Sequence, residues 1–333
     1  MTDMAELRWG VLSTADIART KVSPAIRKAS NCRIVAIASR DAERARQAAV
    51  ELDIPRTHAS YEALLADTEV DAVYIPLPNH LHAQWTMAAA RAGKHVLCEK
   101  PLATNAADAE RMIRVCEDSG VRLMEAFMYR LHPSWAALRE VVSSGRLGEL
   151  MAIQSWFSYY NDDASNIRNM GEAGGGALFD IGCYQVNLSR MLMGGEPNRV
   201  QASIRRDHGP GVDILTSVIL DFEGGRMATF TCSIRAEDDQ RVHVYGSRGH
   251  ASIWIPFNIP PDMPTKVFVT AGGQPPVAPL VETLTFETAD PYTVEFEHFA
   301  AAVLDGSPVP YRPEDAVANL RVMEQVFAAA AAP

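Results

Sequence analysis

Cysteine is scarce and scattered in this chain. The five residues, Cys32, Cys98, Cys116, Cys183 and Cys232, form no close pair and no C-x-x-C spacing. That argues against a disulfide-stapled scaffold and against a cysteine-based metal site. Lysine is limited to Lys21, Lys28, Lys94, Lys100 and Lys266, and no basic run is longer than a pair. The net charge is −10, with an isoelectric point near 5.4. An acidic surface repels phosphate backbones, so a nucleic-acid partner is not expected. No uninterrupted apolar stretch approaches the roughly 20 residues that span a bilayer, so no membrane role is expected either. The opening residues, MTDMAELRWGVL, carry acids and no long apolar run. They do not read as a secretory signal, and the expected location is the cytoplasm, with free thiols.

What is present is a core. Of 333 residues, 47% are hydrophobic, which excludes a disordered chain. The length points to about two domains. In the first 130 residues, short apolar runs (Leu7–Leu12, Ile34–Ser39, Ala72–Ile75, His95–Cys98, Leu123–Ala126) alternate with helical stretches near 16–29, 42–52, 79–92 and 105–118. Apolar strands separated by helices predict a doubly wound parallel sheet, covered on both faces. Asp41 and Asn105 are suited to cap helices, and Gly93 to end one. After about residue 150 the rhythm changes. The run Leu150–Tyr160 precedes a glycine cluster and a helix over 177–193. Strand-like segments separated by glycine turns (Gly224-Gly225, Gly246, Gly249, Gly272-Gly273) then predict a large, mostly antiparallel sheet. Helices near 291–305 and 313–330 close the chain. The expected division is 1–128 and 129–333, with a C-terminal helix free to pack back on the first domain.

After the first strand comes Ser13-Thr14-Ala15-Asp16-Ile17-Ala18. A glycine-rich dinucleotide loop would stand here, admitting a pyrophosphate to a helix N-terminus. The three glycine positions read Ser13, Ala15 and Ala18: small, but more restricted than glycine. The second strand ends at Ser39-Arg40, about 20 residues on, where a ribose 2′ position is read. No acid stands at its tip. Arg40 follows, with Arg44 a turn later, and a guanidinium fork matches a 2′-phosphate. NADP is therefore expected as the preferred cofactor, with NAD possible.

Two further segments bear on chemistry. Lys100 directly follows a buried strand, where ligands of open α/β sheets bind, and Pro101 keeps it extended. In Gly174-Gly175-Gly176-Ala177-Leu178-Phe179-Asp180-Ile181-Gly182-Cys183-Tyr184, Asp180 and Tyr184 are four apart and share a helix face. A phenol near an ammonium can accept and donate a proton, because the positive charge favours phenolate. In Leu150–Arg168, Trp156, Tyr159 and Tyr160 could stack on a sugar ring, and Asn161, Asp162 and Asp163 could bind hydroxyls.

The segments G-K-H-V-L-C-E-K-P (93–101) and G-G-G-A-L-F-D-I-G-C-Y (174–184) resemble the two signature stretches of the Gfo/Idh/MocA oxidoreductases. Pro78-Asn79-x-x-His82 and Phe127-Met128-Tyr129-Arg130-x-x-Pro133 extend the likeness over almost the whole chain. The resemblance implies an N-terminal Rossmann domain and a C-terminal α/β domain whose open sheet joins subunits as a homodimer or homotetramer. It implies Lys100 as the catalytic lysine, with Asp180 and Tyr184 as its partners. It places Ser13, Thr14, Ala15, Asp16, Ile17, Ser39, Arg40, Arg44, Pro76, Leu77, Asn79, His82, Glu99, Lys100 and Arg168 at the cofactor. Arg130, Tyr160, Asn161, Arg168 and Tyr184 fall at the substrate, and no metal is expected. Tyrosine at 184, where many members have histidine, resembles the glucose–fructose oxidoreductase, xylose dehydrogenase and dihydrodiol dehydrogenase branch. The expected activity is hydride transfer between NADP(H) and a secondary alcohol carbon of a sugar, polyol or small diol. The alternatives are a dinucleotide-binding regulator without turnover, and a dihydrodiol dehydrogenase or other non-sugar carbonyl reductase. His132 reads as structural rather than as an acid–base group.

Overall fold

The computed structural model describes residues 5–207, 211–271 and 280–331. The Gly272-Gly273 turn lies outside the described residues. The chain divides into two compact units, residues 1–128 with 291–317, and 129–290 with 318–333.

In the first unit, β1 (Leu7–Leu12), β2 (Cys32–Ala38), β3 (Arg56–His58), β4 (Ala72–Ile75), β5 (His95–Glu99) and β6 (Leu123–Ala126) form one sheet in the order β3-β2-β1-β4-β5-β6. Every pairing in it is parallel. This order reverses between β1 and β4, the switch point at which doubly wound sheets take their ligands. The strand interiors are almost wholly buried, because helices cover both faces. A wide π-type turn, Ala18–Val22, leads into α1 (Ser23–Lys28), followed by α2 (Ala42–Glu51), α3 (Tyr61–Leu65), α4 (His82–Arg91) and α5 (Ala106–Asp118). Asp41, Ser60 and Asn105 cap α2, α3 and α5 through their side-chain oxygens.

The second unit opens with α6 (Pro133–Ser143), capped by His132. Then come β7 (Leu150–Tyr160), a π-type turn (Leu178–Gly182) and α7 (Cys183–Met193). The remaining strands are β8 (Arg199–Arg206), β9 (Asp213–Asp221), β10 (Met227–Ser233), β11 (Arg235–Gly246), β12 (Gly249–Trp254), β13 (Thr265–Ala271) and β14 (Val281–Phe286). Their order with β7 is β14-β13-β12-β11-β7-β10-β9-β8, antiparallel except where β10 meets β7. α7 packs on one face of β7, and Gln185 reaches Ser155 and the Thr231 carbonyl.

The second unit is not the continuous 129–333 expected above. α8 (Pro291–Leu304) belongs to the first unit. The reason is apolar: Phe296 and Phe299 are fully buried and their rings lie 4.6 and 5.4 Å from that of Trp9 on β1. The helix that packs back is thus the penultimate one. The last, α9 (Glu314–Ala331), lies from Ala318 onward in the second unit.

Candidate active site in two halves

The first half lies at the carboxyl ends of β1, β2, β4 and β5. Ser13 takes φ +153°, a conformation that glycine reaches at no cost. Its hydroxyl accepts the Ala15 N–H at 3.0 Å, which offsets part of that strain. Thr14, Ala15 and Ile17 are partly exposed and Asp16 fully so, leaving the turn open to a ligand. At the end of β2, the Ser39 hydroxyl accepts the Asp41 N–H at 3.2 Å. Asp41 itself is consumed as a cap, accepting from the backbone of Glu43 and Arg44 at 2.9 and 3.2 Å. The Arg44 guanidinium stands 3.6 Å from that carboxylate and is largely exposed. Asp41, the acid that follows the ribose position, is therefore occupied, while Arg40 is exposed. This donor set fits a 2′-phosphorylated dinucleotide. Sequence reasoning passed over Tyr61, a buried tyrosine whose phenol burial pushes up, against the pull of the nearby Arg40 charge.

Lys100 begins the loop after β5, and its peptide with Pro101 is cis. Beneath it, Glu99 accepts the Tyr74 hydroxyl at 2.5 Å and the Lys100 backbone N–H at 3.2 Å. Burial, and then the Glu99 charge, push the Tyr74 phenol well up, so it remains a donor. Glu125 accepts the Leu102 N–H at 2.8 Å. Pro76 and Leu77 are buried at the end of β4, and Asn79 is partly exposed in the short turn after it. His82 requires a correction. It is fully buried, with Nδ1 2.9 Å from the Pro101 carbonyl and Nε2 2.7 Å from the Leu77 carbonyl. Burial pushes it down to about 4. A neutral imidazole has one N–H, so it donates to one of these carbonyls while its other nitrogen only lies against the second. Enclosed by backbone on both edges, His82 ties the loop after β4 to the loop after β5 instead of facing a cofactor.

The second half surrounds the entry of α7. Tyr184 is 5% exposed, with the rings of Phe257, Tyr129 and Phe157 at 5.3, 5.8 and 5.8 Å. Asp180, one turn earlier, accepts from the Tyr159 hydroxyl, and from Arg168 Nε at 3.1 Å. Burial and the Asp180 charge push the Tyr159 phenol up. Tyr159 is thus a fixed donor to Asp180 rather than the stacking platform that its place in an aromatic run suggests. The loop between β7 and the glycines is tied internally. Arg235 donates to the Asn161 carbonyl, to Asn169 Oδ1 at 3.0 Å and to Asp207 at 2.9 Å. Asn161 Oδ1 already accepts from Asp163 and Asn169, which is a loop-ordering role rather than the expected hydroxyl binding. Arg130 is partly exposed in the turn after β6.

Strand alternation corrects the aromatic assignments. Ser155, Phe157 and Tyr159 face α7, so Trp156 and Tyr160 face the other side of the sheet. Trp156 lines a groove there with Gln154, Gln201, Thr229 and Arg241. Tyr160 is 60% exposed and donates to Asp162. Neither shares a face with Tyr184. His132 is buried, with Nδ1 on Ser134, and burial pushes it down to about 4, in keeping with a structural role.

The sequence reading also missed Asp213, on β9. It is 1% exposed. Its Oδ2 accepts the Leu178 N–H at 2.7 Å and the Thr216 hydroxyl at 2.8 Å. Burial outweighs these bonds and pushes its carboxyl up to about 6. A carboxyl raised in the folded state contributes stability that is complete below the unfolded value near 3.8 and is lost as pH rises through about 6. Asp213→Asn should therefore melt with the native protein at pH 4 and above it at pH 7; thermal melts across that range check the sign.

A parallel sheet of Rossmann order, ending in a phosphate-type turn and a lysine, in one chain with a unit bearing a caged phenol and a clamped carboxylate, defines a dinucleotide-dependent oxidoreductase. Residues 7–127 match the oxidoreductase family with an NAD-binding Rossmann fold, and residues 135–252 match the GFO/IDH/MocA C-terminal domain. The chain belongs to this Gfo/Idh/MocA family. It is 40% identical to D-xylose 1-dehydrogenase (NADP(+)) 2 of Haloferax volcanii, over 97% of both chains. It is 36% identical to trans-1,2-dihydrobenzene-1,2-diol dehydrogenase of Mus musculus, over 75% of this chain and 76% of that one. The crystal structure of a 3-ketoreductase from Actinomadura kijaniata, in complex with NADP and TDP-benzene, superposes with a TM-score of 0.91 at 30% identity, covering 97% of this chain and 98% of that one. Among the described residues, no helix is long and apolar enough to cross a membrane, and no His/Cys/Asp/Glu cluster could hold a metal.

Proposed function

We propose that this enzyme moves hydride between NADP(H) and a secondary alcohol or carbonyl carbon of a sugar, polyol or related small diol. The observation that carries the reading is Tyr184: a phenol caged by aromatic rings, one helical turn from a carboxylate that Tyr159 and Arg168 hold still. The relatives named above support the substrate class and the NADP form. Ser13, the turn 14–17 and Arg40 would hold the dinucleotide, which supplies the hydride acceptor or donor. In oxidation Tyr184 takes the hydroxyl proton. The Lys100 ammonium hydrogen-bonds the same oxygen and stabilises its developing negative charge. Asp180 orients the reacting group. The sheet face bearing Trp156, with exposed Ile219, Met227, Tyr245 and Trp254, supports self-association through the second unit.

The test is a panel of aldoses, polyols, ketoses and trans-diols with both cofactors, followed at the nicotinamide absorbance band. Turnover with an aldose or polyol and NADP is the expected result. Bound dinucleotide with no turnover on the panel would instead favour a regulator. Removing Arg40 should erase the cofactor preference. Loss of a charge-assisted phosphate contact of about 1.5–3 kcal/mol corresponds to a fall of about 10–100-fold in kcat/KM for NADP, with that for NAD unchanged. An unchanged ratio in Arg40→Ala would refute the assignment.

A further inference from the structure

We propose that Asp213 is a positioning residue for the reaction: its Oδ2 fixes the entry of α7 and thereby sets Asp180 and Tyr184 in register. This rests on the reading above, in which that pair carries the proton chemistry.

Two of the three glycines ahead of α7 have no room for a side chain. Gly176 has φ +114°, and a Cβ built on it would fall 2.1 Å from Asp213 Oδ1. A Cβ on Gly175 would fall 2.6 Å from the Arg168 carbonyl and 2.7 Å from that of Ile167. Both positions are therefore bare because something else occupies the space: on one side the loop that carries Arg168, on the other the Asp213 carboxylate. Hydrogen bonds lock each approach. Gly176 N–H donates to the Arg168 carbonyl at 2.8 Å, and Gly175 N–H to the Met170 carbonyl at 3.0 Å. Asp213 closes the arrangement by accepting the Leu178 N–H at the first residue of the π-type turn.

Two residues past Leu178 stands Asp180, whose Oδ2 receives Arg168 Nε. The backbone of Arg168 and its side chain are thus tied to the same helical entry, at Gly176 and at Asp180. Asp213 is the anchor from the sheet. It projects from the first residue of β9 and is held in turn by Thr216 on the same strand. Misplacing a reacting group by about 1 Å can cost about 10²-fold in rate. A carboxylate that is buried at a cost, is shut off from solvent and holds the start of the working helix is placed to prevent such a shift.

The role is positional, so what matters is an acceptor oxygen at the Oδ2 point. Asp213→Asn keeps one, because both bonds land on a single oxygen. Asp213→Ala removes it. Asp213→Glu keeps the charge but moves the acceptor by one methylene. The expected results are a kcat within about threefold of native for Asp213→Asn, a loss of about 30–100-fold for Asp213→Ala, and a loss of at least about tenfold for Asp213→Glu. The dissociation constant of NADP, titrated directly by protein fluorescence, should stay within about twofold in every variant, because the dinucleotide is held by the first unit. Asp213→Glu keeps the proposal falsifiable if the alanine variant fails to fold. A folded Asp213→Ala or Asp213→Glu with near-native kcat overturns the proposal. So does an Asp213→Asn as impaired as the alanine variant. Tyr184→Phe, measured alongside, separates the two ideas: if it retains turnover, the underlying reading fails; if it loses turnover while the Asp213 variants do not, only the positioning role fails.

Discussion

Replacing Lys100 by methionine is expected to lower kcat by about 10²–10³-fold while NADPH still binds. The physical basis is the charge that develops on the substrate oxygen as hydride moves. An ammonium at that oxygen is worth most in the transition state, so its loss appears in kcat rather than in binding. The site around Lys100 should survive the change. Its backbone N–H is held by Glu99 and the following loop by Glu125 and His82, and none of these contacts uses the lysine side chain. Stopped-flow turnover, with a parallel fluorescence titration of NADPH, separates the two effects. Near-native turnover in Lys100→Met would remove the lysine from the mechanism.

Tyr184→Phe is expected to cost about 10²–10⁴-fold in kcat, the range of a lost proton donor and acceptor. Phenylalanine keeps the ring contacts with Phe257, Tyr129 and Phe157, so the melting temperature should hardly move. A variant that is stable, binds cofactor and does not turn over is the expected outcome. If Tyr184→Phe proves as active as the native enzyme, proton transfer runs through another group.

The first unit was legible because its strands are buried on both faces and so read as plain apolar runs. β3 was not: Arg56-Thr57-His58 is a short edge strand with no apolar signature. α6 was hidden because Pro133, at its first position, read as a motif residue rather than as a helix start. In the site, Lys100, Asp180 and Tyr184 stood out by type and spacing. The errors came from direction. A run of aromatics shows that a strand has two faces, not which face meets a helix, and Trp156 and Tyr160 were assigned to the wrong one. His82 matched a motif, but only its two carbonyl partners reveal that it faces inward. Asp213 gave no local signal, since its meaning lies in glycines more than thirty positions earlier.

The packing of Phe296 and Phe299 on Trp9 has a consequence for biosynthesis. The dinucleotide-binding half leaves the ribosome ahead of the second unit's sheet, yet its central strand stays uncovered until residues 291–304 have followed. That half cannot mature vectorially, and a fragment ending at residue 128 would present a bare indole and an apolar flank to solvent. Any attempt to excise, swap or tag it as a free-standing cassette must carry residues 291–304 along.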